Sequence, residues 1–153
     1  MAHAVISGSS AYLPDAEGAL KDAGFEILSA GWSPPDDVST LGPIDCYLQL
    51  PNDDSDDDNG ARLLHRFDCA ARAAGFITPS GVVVLVADGW TDPGLTRENR
   101  GHRRLPLLLT EAVLRDHGLD DDQVILVSDP TSAVAIVKQA ERAIHERTRR
   151  LKH

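Results

Sequence analysis

Apolar residues along this chain fall into short, β-branched runs separated by stretches with helical spacing, a pattern that predicts strands and helices in turn. The most apolar block is Gly81-Val82-Val83-Val84-Leu85-Val86-Ala87-Asp88-Gly89, which reads as a strand covered on both faces. Before it, His3 to Ser7 reads as a strand, and Pro14-Asp15 opens a helix with Ala16, Ala19, Leu20 and Ala23 as its narrow apolar face. Gly24 stands where a left-handed helix cap belongs, and Phe25 to Ser29 follows as a second strand, completing a right-handed βαβ unit. The segment 31–43 is rich in proline and reads as a loop with a short helical turn at 37–41; Ile44 to Leu50 is a third strand ended by Pro51.

The pattern resumes with Ala61 to Ala74, a helix carrying Leu63, Leu64, Phe67, Ala70, Ala71 and Ala74 at helical spacing and stopped by Gly75. Thr78-Pro79-Ser80 leads into the central strand, and Trp90 to Arg104 is a long loop. Leu105 to His117 is a helix with Pro106 in its first turn and Gly118 at its end. Asp120 to Asp122 is a turn and Val124 to Val127 a fifth strand; Ser128-Asp129-Pro130 caps a last helix that is apolar at Ala133, Val134, Ile136, Val137, Ala140 and Ile144. Strands alternating with helices predict an α/β class, a three-layer α/β/α arrangement around a parallel sheet.

At 153 residues and 42% hydrophobic content the chain has enough for one core, expected as a single domain over 1–146 with a basic tail at 147–153. From Lys138 onward six basic residues face only Glu141 and Glu146, against a net charge of −9 for the whole chain. That excess of acid argues against general nucleic-acid or anionic-membrane binding. Without a long apolar span or a basic leader, a cytoplasmic protein is expected. Cys46 and Cys69 fall on a strand and a helix without metal or redox spacing, and are expected as buried free thiols.

In an open parallel sheet, ligands bind beyond the carboxyl ends of the strands. That rule selects Gly8-Ser9-Ser10, the acidic segment 52–60, Asp88-Gly89-Trp90 with the arginine loop, and Ser128-Asp129. Gly8-Ser9-Ser10 lacks the dinucleotide fingerprint, because Tyr12 and Pro14 fall near the positions where glycines admit a pyrophosphate. A serine loop before a helix could still hold one phosphate. Asp54, Asp56 and Asp58 alternate as calcium ligands do, but Asn59 replaces the turn glycine and no glutamate closes the loop, so a solvated acidic segment is favoured and no metal is expected. The same acids fit the layout of response-regulator receivers, yet Ser7-Gly8-Ser9 supplies no acid after the first strand and Ser128-Asp129-Pro130 no lysine after the fifth. Arg97 and Arg100 could clamp a phosphate or carboxylate, although pairing with the aspartates is the stronger reading. His102 with Asp88 is the one acid–base pair that the edge offers.

Val5-Ile6-Ser7-Gly8, Ala19-Leu20-Lys21-Asp22-Ala23-Gly24-Phe25-Glu26-Ile27, the helix before Gly81 to Val86, and Leu107 to Leu114 before Val124 to Val127 together resemble an eroded short-chain dehydrogenase/reductase. The glycine motif of that family is missing. Its active-site serine would fall near Ala87 or Asp88, and its tyrosine and lysine near His102 and Pro106. The segment before Ile44 is too short for the family's extra helix and strand, so the resemblance implies a five-stranded, Rossmann-like sheet of order 2-1-3-4-5. It also implies dimerisation through the helices flanking the central strand, with Leu64, Phe67, Leu105, Leu108, Leu109 and Ala112 at the interface.

The leading expectation is therefore a non-catalytic, Rossmann-like domain without a cofactor, acting as a homo-oligomer or on a partner protein. The alternative is a small-molecule or nucleotide-binding enzyme with its site at the carboxyl ends of the strands. A third expectation docks the basic tail on a neighbouring subunit or a nucleic acid.

Overall fold

The computed structural model describes residues 2–7, 13–31, 43–50, 71–86, 111–127 and 131–152. In chain order these form β1 (Ala2–Ser7), α1 (Leu13–Asp22), β2 (Phe25–Gly31), β3 (Ile44–Gln49), β4 (Ile77–Val86), a 3-10 turn (Asp121–Gln123), β5 (Val124–Val127) and α2 (Ala133–Leu151). Residues 71–74 and 111–116 are helical as well. The five strands make one parallel sheet of order β2-β1-β3-β4-β5, the Rossmann-like order expected from the sequence. Among the described residues, no helix is long and apolar enough to cross a membrane.

Because strand side chains alternate, the sheet feeds two separate cores. Ala4, Ile6, Cys46, Leu48, Val82, Val84 and Val86 pack with Ala16, Ala19 and Leu20 of α1 and with Ile136, Val137 and Ala140 of α2. On the opposite face, Val5, Tyr47, Val83 and Leu85 meet Ala73, Ala74 and Leu114. The long valine run in β4 is explained by this double burial: Val82 to Val86 are all essentially inaccessible, so no position in it can be polar.

Gly24 and Gly118 adopt φ of 93° and 96°, the left-handed caps expected of them. Other boundaries shift. α1 begins at Leu13, so Asp15 lies in its first turn rather than at its cap, still placed to favour the positive end of the helix dipole. The cap of α2 is Ser132, whose hydroxyl accepts from the Ala135 amide at 3.2 Å, one turn later than Ser128-Asp129-Pro130, which lies outside the described residues. That start turns Val134 outward, 52% exposed, off the apolar face expected to include it.

The central strand starts at Ile77, so Gly81 sits inside it rather than bounding it. Pairing with β3 runs Ile44 to Ile77 and then Cys46 to Val82, which leaves Thr78 to Gly81 as a bulge out of the ladder. Pro79, which has no N–H to give, is tolerated there. Gly81 lets β3 pass close by: a Cβ on it would stand 3.0 Å from the carbonyl oxygens of both Ile44 and Asp45.

Three carbonyls of the bulge, those of Thr78, Pro79 and Gly81, find side-chain donors. Gln123 shares its amide N–H groups among Thr78, Pro79 and Gly81 at 3.2–3.5 Å, while its own oxygen accepts from the Asp120 amide at 3.0 Å. Arg147 donates from Nε to Pro79 and from its two terminal nitrogens to Asp122 at 2.5 Å and Asp120 at 2.7 Å. The expected basic tail at 147–153 thus begins on α2, which stays helical to Leu151, and Arg147 itself is buried. Three hydrogen-bonded partners repay the burial of Arg147. Asp45 completes this edge by accepting from the His3 amide at 2.8 Å and from the Thr78 hydroxyl at 2.9 Å.

Cys46 is a buried free thiol, as expected; Cys69 lies outside the described residues. Burial first, and the Asp45 charge second, push the Cys46 thiol up from 9.0 to about 12. Below pH 9 folded and unfolded chains both hold that proton, so the group leaves stability unchanged. As pH rises from 9 toward 12, only the unfolded chain releases it, and stability falls by up to about 1.4 kcal/mol per pH unit. Urea midpoints of wild type and Cys46→Ala should therefore converge above pH 9, and keep a constant separation below it.

Candidate functional site

The sheet reverses its winding between β1 and β3, since β2 lies on one side of β1 and β3, β4 and β5 on the other. In open α/β sheets the crevice at such a reversal, beyond the carboxyl ends of the strands, is where ligands sit. Here that point is built by the ends of β1 and β3, whose last register pair is Ser7 and Gln49. The Leu50 amide donates to the Ser7 carbonyl at 2.8 Å and carries the ladder one residue further, so the rim is a rigid part of the sheet.

Ser7 and Gln49, 6% and 2% exposed, are buried polar residues at the ends of strands that also carry the partly exposed His3 and Asp45. Alternation places both on the face of Val5 and Tyr47, and Leu85 of β4 is the next neighbour of Gln49 across the sheet. Neither the nitrogen nor the oxygen of the Gln49 amide makes a hydrogen bond among the described residues. Gln123, buried to a similar degree at the opposite edge, has both ends of its amide engaged. A buried amide group left unpaired costs about 1–3 kcal/mol. One glutamine is therefore a structural staple, and the other is held at a cost with its hydrogen-bonding capacity open.

The amino edge also carries a groove of about 450 Å³, lined by Ala2, Phe25, Asp45, Glu141, Ile144 and Thr148 among others. Its Asp45 carboxylate is already committed to His3 and Thr78. It lies at the wrong end of the strands for a switch-point ligand.

Most residues proposed from the sequence are not among those the structure describes. Gly8, Ser9 and Ser10, the acidic segment 52–60, Asp88, Arg97, Arg100 and His102 lie outside the described residues. So do Leu64, Phe67, Leu105, Leu108 and Leu109 of the expected interface; Ala112 is described and is exposed. Sequence reasoning passed over Ser7 and Gln49. The signal for Gln49 was present: it is the most polar side chain in Cys46-Tyr47-Leu48-Gln49-Leu50, a run that a doubly covered strand should keep largely apolar.

No family model, curated protein or solved structure matches this chain. The likeness to short-chain dehydrogenases therefore stands on the sequence motifs alone.

Proposed function

We propose that this chain is a Rossmann-like domain that binds a small molecule in the crevice between the carboxyl ends of β1 and β3. The observation that carries this reading is the Gln49 amide, buried and unpartnered at the point of winding reversal. Thermal unfolding of the full chain against NAD(P), AMP, neutral bases and magnesium is the direct test. A true ligand at a hundred times its Kd adds about 2.7 kcal/mol of stability. A panel that leaves the unfolding temperature unchanged would count against the reading.

Association is a second reading, and one feature favours it. The described parts of the two helices expected at an interface, 71–74 and 111–116, pack on the same sheet face, opposite the one that α2 covers. Leu114 of the second helix packs in the core on that face. A dimer is expected in light scattering at micromolar concentration, and Leu108→Arg should convert it to monomer. A wild-type monomer under those conditions would remove this reading and leave the first intact.

A further inference from the structure

We infer that the group bound in this crevice is an uncharged planar edge with a hydrogen-bond donor beside an acceptor, as in a lactam, a carboxamide or a nucleobase, and that Gln49 reads it. This rests on the binding function proposed above, and names the ligand's chemistry.

The inference begins from both ends of the amide being open. Gln49 offers N–H donors on Nε2 and an acceptor on Oε1, and neither is engaged among the described residues. A ligand that used only the donors, such as a phosphate, would leave Oε1 facing anionic oxygens with its lone pairs unmatched. A donor–acceptor edge satisfies both atoms at once, in the bidentate way glutamine pairs with an adenine edge.

Charge points the same way. At 2% exposure, an ion brought against Gln49 would lose most of its hydration, which is costly without a counter-charge. The protein as a whole carries a net charge of −9. That field opposes anions. Across the sheet, Gln49 lies between Ser7 of β1 and the apolar side chain of Leu85 of β4, with Tyr47 and Val83 one step below on the same face. An amide beside an apolar step suits a flat ring that presents one polar edge.

The test uses the full chain with 2-pyrrolidone, uracil and nicotinamide as probes, and 1,3-dimethyluracil, inorganic phosphate and ribose 5-phosphate as comparisons. Calorimetry and thermal unfolding should show at least one of the three probes binding. Dimethyluracil, which keeps the ring and carbonyls but lacks the N–H, should bind at least tenfold more weakly than uracil. Gln49→Leu should lose at least tenfold in affinity for the binding probe, and its unliganded form should melt about 2–12 °C above wild type, because the unpaired amide is gone. Gln49→Met serves as a shape-retaining second variant. In nitrogen-15 spectra, the side-chain NH₂ resonances of Gln49 should move on titration with the probe.

If phosphate or ribose 5-phosphate binds while the three probes do not, the crevice is real and the amide-edge assignment is wrong. If a probe binds equally well to wild type and both variants, with the Gln49 resonances still, Gln49 is not its reader. Should none of the six compounds bind, the assignment and the binding function fall together.

Discussion

Replacing Arg147 with alanine lowers the unfolding temperature by about 6–12 °C, corresponding to about 3 kcal/mol in a chain of this length. Three partners lose their donor at once: the Pro79 carbonyl, Asp122 and Asp120. Removing one side of a buried ion pair costs about 3–5 kcal/mol, and the lower end applies because Asp120, 66% exposed, returns to water without penalty. Asp122 is 31% exposed and keeps Arg150 at 2.5 Å, so it is only partly stranded. The Pro79 carbonyl retains only the long 3.5 Å contact with Gln123. Arg147→Met separates the contributions: it preserves the packing of the side-chain stem while removing the donors, and should recover part of the loss. Equal unfolding temperatures for wild type and Arg147→Ala would show that the clamp adds nothing. The same geometry bears on the expectation that the basic segment docks elsewhere. Deleting 147–153 removes the clamp, so a truncated chain that assembles poorly does so because its fold is weakened; Arg149→Ala with Lys152→Ala, both exposed, is the cleaner probe of docking.

Gly81→Val should be comparably disruptive, at about 2–3 kcal/mol. Even the first added carbon would stand 2.8 Å from the Thr78 hydroxyl and 3.0 Å from two backbone carbonyls of β3. The hydroxyl can rotate only by giving up its bond to Asp45, and the carbonyls cannot move without opening the sheet. Overpacking of this kind costs about 1–3 kcal/mol, partly offset by the lower chain entropy of a non-glycine residue. Gly81→Ala should cost less than Gly81→Val, and a urea series on both variants gives the ordering. Stability equal to wild type for Gly81→Val would mean that β3 and β4 separate at the bulge more easily than their pairing suggests.

These two sites mark where sequence reasoning stopped. The strands and the left-handed glycines were legible because apolar periodicity and φ preference are local properties, whereas the order of the strands came from the family resemblance. The bulge at Thr78 to Gly81 was not. It depends on how Ile44 and Cys46 of β3 register against Ile77 and Val82, a relation between segments more than thirty residues apart. Arg147 was misplaced for a similar reason: in sequence it is one of several basic residues near the end, and only the approach of Pro79, Asp120 and Asp122 sets it apart.

By itself the sequence determined the α/β class, the doubly buried character of the Val82 to Val86 run and the expectation of a free thiol at Cys46, since each follows from side-chain polarity and spacing. Tertiary structure alone decided which of two buried glutamines is satisfied. Gln123 meets the carbonyls of a bulge, whereas Gln49 ends its strand at the winding reversal with no partner among the described residues. Hydrogen-bond satisfaction is a matter of distance and direction between groups far apart in the chain, and no local pattern of residues encodes it.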